Sequence, residues 1–367
     1  MKRMTTEDRR RWLPLLPLLA LLLGIGPANA ETTRTLRQEM APSGAFGVEN
    51  LAGTMRVTQG SGSSVVVVAT VHAADEKAAG LMKLEKVSGE KGMPTLRLIY
   101  PIDEYGTIRY RGEHGDSFLG RMFGGGSNTR TEYAGEKVKV STSEGTLLYA
   151  DVEVQIPKGA EGHFRNVVGQ IEGTSLEGKL SFDSGSGDIT LKAISGHVDA
   201  DTGSGDIEAE SIQGSFTGDT GSGNIQISSF EGEKIDCDTG SGNVRVESFT
   251  ATHVKAETGS GNIRTINGRM DEFDGSTGSG NIEVEAEGGR LRTLEAGTGS
   301  GNVVLRLGDD ASFEAMTDTG SGNIVSHYDD AQPIVNKKEV IGYRRGGAKT
   351  HIKVSTGSGN VVIEPGV

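Results

Sequence analysis

Nine copies of one short phrase constrain this chain more than anything else in it. Each reads Thr or Ser, then Gly-Ser-Gly, then Asp or Asn, then Ile or Val. Aligned on the central serine they fall at Ser186, Ser204, Ser222, Ser241, Ser260, Ser279, Ser300, Ser321 and Ser358. The steps are 18, 18, 19, 19, 19, 21, 21 and 37 residues, and the last interval reads as two periods with one phrase lost to an insertion. Repeats of this size mark a stack of one supersecondary unit.

The columns of the alignment identify the unit. A β-branched residue closes every phrase, from Ile189, Ile207 and Ile225 to Val361, and another apolar side chain often stands two places on, as at Leu191, Ile227 and Leu305. Before each phrase runs a second apolar column, Val198, Phe216, Ile235, Val254, Phe273, Leu294, Ala315 and Ile352. Two places later comes a smaller one containing Ala200, Gly218, Cys237 and Ala256. Alternation of this kind is a half-buried strand, and turns this close leave no room for a helix. Strands repeated in one direction build an all-β parallel β-solenoid with 18–21-residue coils. An 18-residue coil has a contour of roughly 60 Å, enough for one narrow apolar core. The phrase is then the corner: its glycines are expected to supply positive-φ positions, its Asn to tolerate the left-handed region, and stacked Asn side chains to bond along the column.

The segments outside the repeats divide the chain further. Residues 1–30 have a cationic start, a Leu-rich run from Leu13 to Ile25 and an Ala28-Asn29-Ala30 cleavage pattern, which together read as a signal peptide. The general secretory and twin-arginine routes both stay open, given Arg9-Arg10-Arg11. The mature chain is expected to be exported, whether periplasmic, cell-surface or secreted, and to hold no transmembrane span. Residues 31–154 read as an N-terminal β-rich capping region, and 155–367 as the solenoid, with Gly169-Gln170-Ile171 already in phase. Two insertions read as mobile loops: a Gly/Arg-rich one at 104–135, with Phe118, Arg121 and Phe123, and one at 328–350. Little sequence follows the last strand, so the edge of the C-terminal coil is expected either to be covered by the 328–350 segment or to be used in self-association.

Charge and cysteine content narrow the function. Beyond residue 30 there are 32 Lys/Arg against 48 Asp/Glu, a formal charge of 32 − 48 = −16, so nucleic acid and anionic membranes are poor partners for the bulk of the chain. Cys237, the only cysteine, can form no internal disulfide, and its column makes it a small core residue.

With these motifs in view the chain resembles the bacterial putative-adhesin family of exported β-solenoid proteins, akin to head-type β-helical domains. The resemblance rests on "GVENLAGTMRVTQGSGSSVVVVATVHA", on "ADVEVQIPKGA" leading into "GQIEG", and on the phrases closing with "STGSGNVVIEPGV". It implies export, a β-helical fold and adhesion, and it brings no catalytic residues.

Candidate sites are few. Three places before the first five phrase serines stand Asp183, Asp201, Asp219, Asp238 and Glu257, an outward column of carboxylates about 4.8 Å apart, continued by Ser276, Gly297 and Asp318, that reads as a cation-binding face or a solvated acidic edge. The phrase carries Asn in seven of nine copies, with Asp only at Asp188 and Asp206, which argues against a dedicated calcium roll. It lacks the Lys and following helix of a phosphate loop. His163, His197, His253 and His327 have no metal-ligand spacing, and no cofactor is expected. Residues 331–350 oppose the body's charge: Lys337, Lys338, Arg344, Arg345 and Lys349 face only Glu339, and Tyr343 lies among them. Lys337, Lys338, Tyr343, Arg344 and Arg345 are the candidates for binding an envelope or surface polymer or a protein partner. The expected function is a non-enzymatic adhesin or cell-envelope interaction module. The alternative is a carbohydrate-active β-helix enzyme of lyase or hydrolase type, which needs a local acid, base or metal set that breaks the repeat.

Overall fold

The computed structural model describes residues 31–111, 128–287 and 289–366. The signal segment and Phe118, Arg121 and Phe123 of the first insertion lie outside the described residues. Glu31–Val367 forms one compact unit. Its repeat region is the parallel solenoid that the spacing predicts: Ile189–Thr202 pairs in parallel with Ile171–Ser184 on one side and Ile207–Thr220 on the other, and the pattern continues coil by coil. Ile225, Val244 and Ile263 are direct register partners in adjacent coils, each no more than 1% exposed.

Within a coil, size is balanced between the two columns before the phrase. Phe216 lies across Gly218 and Phe273 across Gly275, where an added Cβ would stand 2.8 and 2.6 Å from the ring. Where the first residue is the smaller Val198 or Val254, the second is Ala200 or Ala256. Cys237 sits beside Ile235 in that series, fully buried. A third inward column, Ile194, Ile212, Phe230 and Phe249, follows a bend at Ala193, Ser211, Ser229 and Ser248, all at positive φ of 53–59°.

The corner phrase works differently from the expectation. None of its glycines has positive φ; that conformation belongs to the bend residues instead. Glycine is required because the coils approach too closely for a side chain. A Cβ on Gly205, Gly223, Gly242 or Gly261 would stand 1.7–2.1 Å from the carbonyl oxygen of the equivalent glycine in the coil before. The threonine that opens the phrase is buried and bonds twice: Thr239 Oγ1 donates to the Gly223 carbonyl at 2.8 Å and accepts from the Gly242 N–H at 3.1 Å. Thr202, Thr220, Thr258, Thr277, Thr298 and Thr356 repeat the pair. Outside the corner, Asn Oδ1 accepts the backbone N–H of the next coil's Asn, as from Asn243 to Asn224 at 3.0 Å, so the expected side-chain ladder is present.

Upstream, the parallel stack reaches past residue 155. Phe46–Ala52 pairs with Ala160–Val168, and Met55–Gln59 with both Ile171–Ser184 and Thr146–Ile156, so these strands add a layer beneath the repeats. Antiparallel strands Thr32–Met40 and Val65–Ala73 finish one side of that end, and Lys83–Ser88 with Pro94–Ile99 the other. In this layer Asn50 and Asn166 take the place of the corner threonine: Asn50 Nδ2 donates to Asn166 Oδ1, and Tyr100 OH to Asn50 Oδ1.

Downstream, the coils are not in sequence order. Val303–Leu307 pairs with Val361–Pro365, which pairs in turn with Ile324–Ser326. Thr293–Thr298, Thr350–Thr356 and Phe313–Thr319 repeat the order on the other face. The coil of the Ser358 phrase is thus slotted between those of Ser300 and Ser321, and the 37-residue interval is a detour outward and back, with no phrase lost. Side-chain polarity explains the order. Ile352, Val354, Val361 and Ile363 are buried between two coils, whereas in the outer coil Ala315, Thr317 and Ser326 are small or polar and only Ile324 is an apolar side chain left half-exposed. Val361–Pro365 is therefore covered on both sides, and the open edge belongs to Ile324–Ser326. The 328–350 insertion is not a mobile loop either: Gln332–Asn336 and Glu339–Arg345 form a hairpin, and Glu339–Arg345 pairs antiparallel with Phe313–Thr319, covering part of the last coil. In the first insertion, Thr107–Arg109 and Asn128–Tyr133 are likewise strands, both paired with Glu136–Ser141.

Two substitutions test this architecture. Thr239→Val strips partners from a buried carbonyl and a buried N–H and is expected to cost about 2 kcal/mol in chemical denaturation, with Thr239→Ser recovering most of it. Val354→Asp is expected to speed amide hydrogen exchange in 313–345 well before the coils of 189–263, because the outer coil reaches the body through the slotted one.

Candidate functional site

The predicted carboxylates do form one column. Asp183, Asp201, Asp219, Asp238 and Glu257 are successive register partners, continued by Ser276, Gly297, Ser355 and Asp318. Loss of hydration against the neighbouring strands raises the pKa of Asp201, Asp219 and Asp238, and the adjoining carboxylates raise it further. Asp183 is raised chiefly by burial, against the pull of Arg165 at 3.6 Å. Lys255 bonds Glu257 at the column's far end. Among the described residues no group of three or more His, Cys, Asp or Glu is placed to hold a metal ion. The flanking outward columns pair internally, His197 with Asp199 at 3.2 Å, Lys234 with Asp236 at 2.8 Å and His253 with Glu272 at 2.9 Å.

The cationic segment is divided by the structure. Arg345 is a framework residue: its guanidinium lies 4.4 Å above the Tyr328 ring, donates to the carbonyls of Asp309 and Ala311, and pairs with Asp330 at 2.5 Å. Tyr328 in turn donates to the Leu307 carbonyl at 2.7 Å, and burial pushes its pKa up to about 12. Arg344 pairs with Glu314, and Tyr343 packs against the core. Lys337 and Lys338 are different. They form the two-residue turn of the hairpin, exposed, at φ of 48° and 80°, and neither takes an ion pair with another described residue. Beside them Val335 and Val340 face each other across the strands, 57% and 38% exposed. The lysines stood out in the sequence by charge. The valines did not, because an alternating strand pattern assigns apolar residues to a core.

One constellation escaped the sequence reading because its members lie far apart in the chain. His72 stacks on Tyr149 at 4.5 Å, with Nδ1 2.6 Å from Glu31 and Nε2 3.1 Å from Asp151, the latter off the line of a hydrogen bond. Arg111 holds the other Glu31 oxygen at 3.2 Å, and Asp151 accepts from the Thr54 N–H. These contacts tie Thr32–Met40 and Thr146–Ile156 to the strand between them. Each ring nitrogen faces a carboxylate of the protein and one ring face is covered, so the histidine serves packing. Cys237 is equally committed: burial drives its thiol pKa well up, and thiolate chemistry is suppressed.

The sequence profile of the family described as Toastrack DUF4097 matches residues 151–364. No curated protein matches the chain in sequence. Among solved structures the chain is similar to a putative adhesin from Parabacteroides distasonis, at 12% identity over 90% of this chain and 97% of that one, with a TM-score of 0.43. It is also similar to a putative adhesin from Parabacteroides merdae, at 11% identity over 90% and 96% with a TM-score of 0.43, and to one from Bacteroides fragilis, at 11% over 90% and 97% with a TM-score of 0.37.

The acidic column makes a pH prediction of unusual sign. A carboxyl whose folded pKa lies above its unfolded value destabilises the fold once ionised, so its penalty is absent below the unfolded pKa and complete above the folded one. Asp219→Asn is therefore expected to stabilise the protein at pH 7, by about 0.5 kcal/mol given the group's exposure, and the gain should vanish below roughly pH 4. Denaturation midpoints of both proteins across that range would show it; a gain confined to low pH would contradict the assignment.

Proposed function

This chain belongs to the Toastrack DUF4097 family, and from that premise we propose that it is an exported, non-enzymatic, adhesin-like interaction module that contacts anionic material of the cell envelope through the hairpin at the end of its solenoid. The observation that carries this reading is the division of labour among the hairpin's cations. Arg344 and Arg345 fasten the hairpin to Glu314, Asp330 and Tyr328, while Lys337 and Lys338 are held out at its turn without a partner among the described residues. A rigid frame that presents unpaired charge suits recognition. The non-enzymatic reading is supported by the state of the reactive side chains: Cys237 lies in the core, and His72 is enclosed by Tyr149, Glu31 and Asp151. The export reading rests on the N-terminal sequence pattern; among the described residues no helix is long and apolar enough to cross a membrane.

Lys337→Gln with Lys338→Gln is expected to leave the denaturation midpoint unchanged and to weaken binding to a soluble polyanion such as dextran sulfate by roughly tenfold at low salt. Added salt should weaken the native protein toward the variant's level. Equal binding by the two proteins would remove the hairpin from the reading. Arg345→Gln, by contrast, should loosen the hairpin itself.

A further inference from the structure

We infer that the hairpin tip docks on an anionic lipid surface, with Val335 and Val340 seated at the headgroup boundary and Lys337 and Lys338 against the lipid phosphates. The inference rests on the proposed role of the hairpin and names its partner.

Five large hydrophobic side chains are exposed among the described residues: Leu81, Met316, Val325, Val335 and Val340. All but Leu81 belong to the outer coil or its hairpin, and Val335 is the most exposed of the five. Val335 and Val340 are cross-strand partners one pair behind the turn, with Asn336 and Glu339 between, so the apolar pair and the two ammonium groups share one tip. The turn places two successive lysines at positive φ, where Asn-Gly would sit with less strain.

A soluble polyanion would use the lysines alone and leave the valines in water. A lipid surface uses both, because phosphates lie beside the edge of the acyl region and lysine stems can cover apolar surface while the ammonium reaches the headgroups. The acidic body does not forbid this contact. Its repulsion is screened over about 8 Å at physiological ionic strength, whereas the tip's attraction acts at contact. Glu339, the one acid at the turn, opposes it.

The test uses the Glu31–Val367 unit, which holds the core and omits the apolar Leu13–Ile25 run. Flotation with vesicles of phosphatidylcholine plus phosphatidylglycerol is compared with pure phosphatidylcholine, and dextran sulfate serves as the soluble polyanion. Binding should require the anionic lipid, fall to the neutral-lipid level in Lys337→Gln with Lys338→Gln, and rise in Glu339→Gln. The deciding variant is Val335→Thr with Val340→Thr, which keeps shape and charge. It should lose roughly threefold or more on anionic vesicles and nothing on dextran sulfate. Lysine-dependent binding that ignores the valine change would overturn the lipid assignment and leave the polyanion reading standing. Vesicle binding that ignores the lysines, or no vesicle binding at all, would also overturn it. Unchanged hydrogen exchange in 313–345 establishes that each variant keeps the hairpin.

Discussion

A threonine hydroxyl shared between two coils sets most of this structure. At seven of the nine corners it fills the acceptor of a glycine in the coil before and the donor of a glycine in its own coil, with both groups shut away from water; Ser184 makes only the first of these bonds, and Thr319, in the outermost coil, turns to Gly322 of its own coil. A buried rung of this kind is worth about 1 kcal/mol when made and costs more when half broken, so it resists loss of either partner. It also draws the corners so close that no Cβ fits on the stacked glycines. The phrase is thus one device: threonine makes the rung, glycine permits it, and Asn outside repeats the bond between side chain and backbone. Where the repeat ends, Asn50 and Asn166 preserve a buried polar column by bonding each other and the carbonyls of Gly53 and Ala150.

Because every corner is interchangeable, the corners cannot decide the order of the coils. That choice falls to the residues between them. At the C-terminal end two coils carry the same phrase, and the more apolar one occupies the inner place although it comes later in the chain. Burying Ile352, Val354, Val361 and Ile363 on both sides removes more apolar surface than burying Ala315, Thr317, Ile324 and Ser326 would. The connection then has to travel out and return. The hairpin made on that excursion covers part of the outer strand, which blunts an edge that would otherwise template association.

The parts of the fold that repeat were legible from sequence. Inward columns, coil length, the acidic column and the Asn ladder all follow from spacing, because a stack reports each position many times. What spacing does not record was not legible. Positive φ was expected at the phrase glycines, since glycine signals both conformational freedom and close approach, and only the stacking distance separates the two. The slotted coil looked like a missing repeat, as spacing records intervals but not spatial order. Of the candidate cations, charge alone could not distinguish Arg345, whose planar group lies over Tyr328, from Lys337 at the turn. That difference depends on a tyrosine seventeen residues away.

The same reasoning says where recognition can sit on such a molecule. In the stacked coils an outward residue has neighbours above and below at fixed register, so its chemistry is shared with its column and its charges meet repeated partners. A site with distinct chemistry needs a place that the repeat does not dictate. The detour at 328–350 provides one, because a residue there answers to no column. Its base is anchored by arginines to the frame, and its turn is released from the pairing rules that govern the rest of the surface. Two lysines in a conformation that most side chains avoid, backed by two valines in water, are a departure that coil stacking does not require. In a stack where nearly every other position is explained by its neighbour one coil away, that departure is what points to a partner outside the chain.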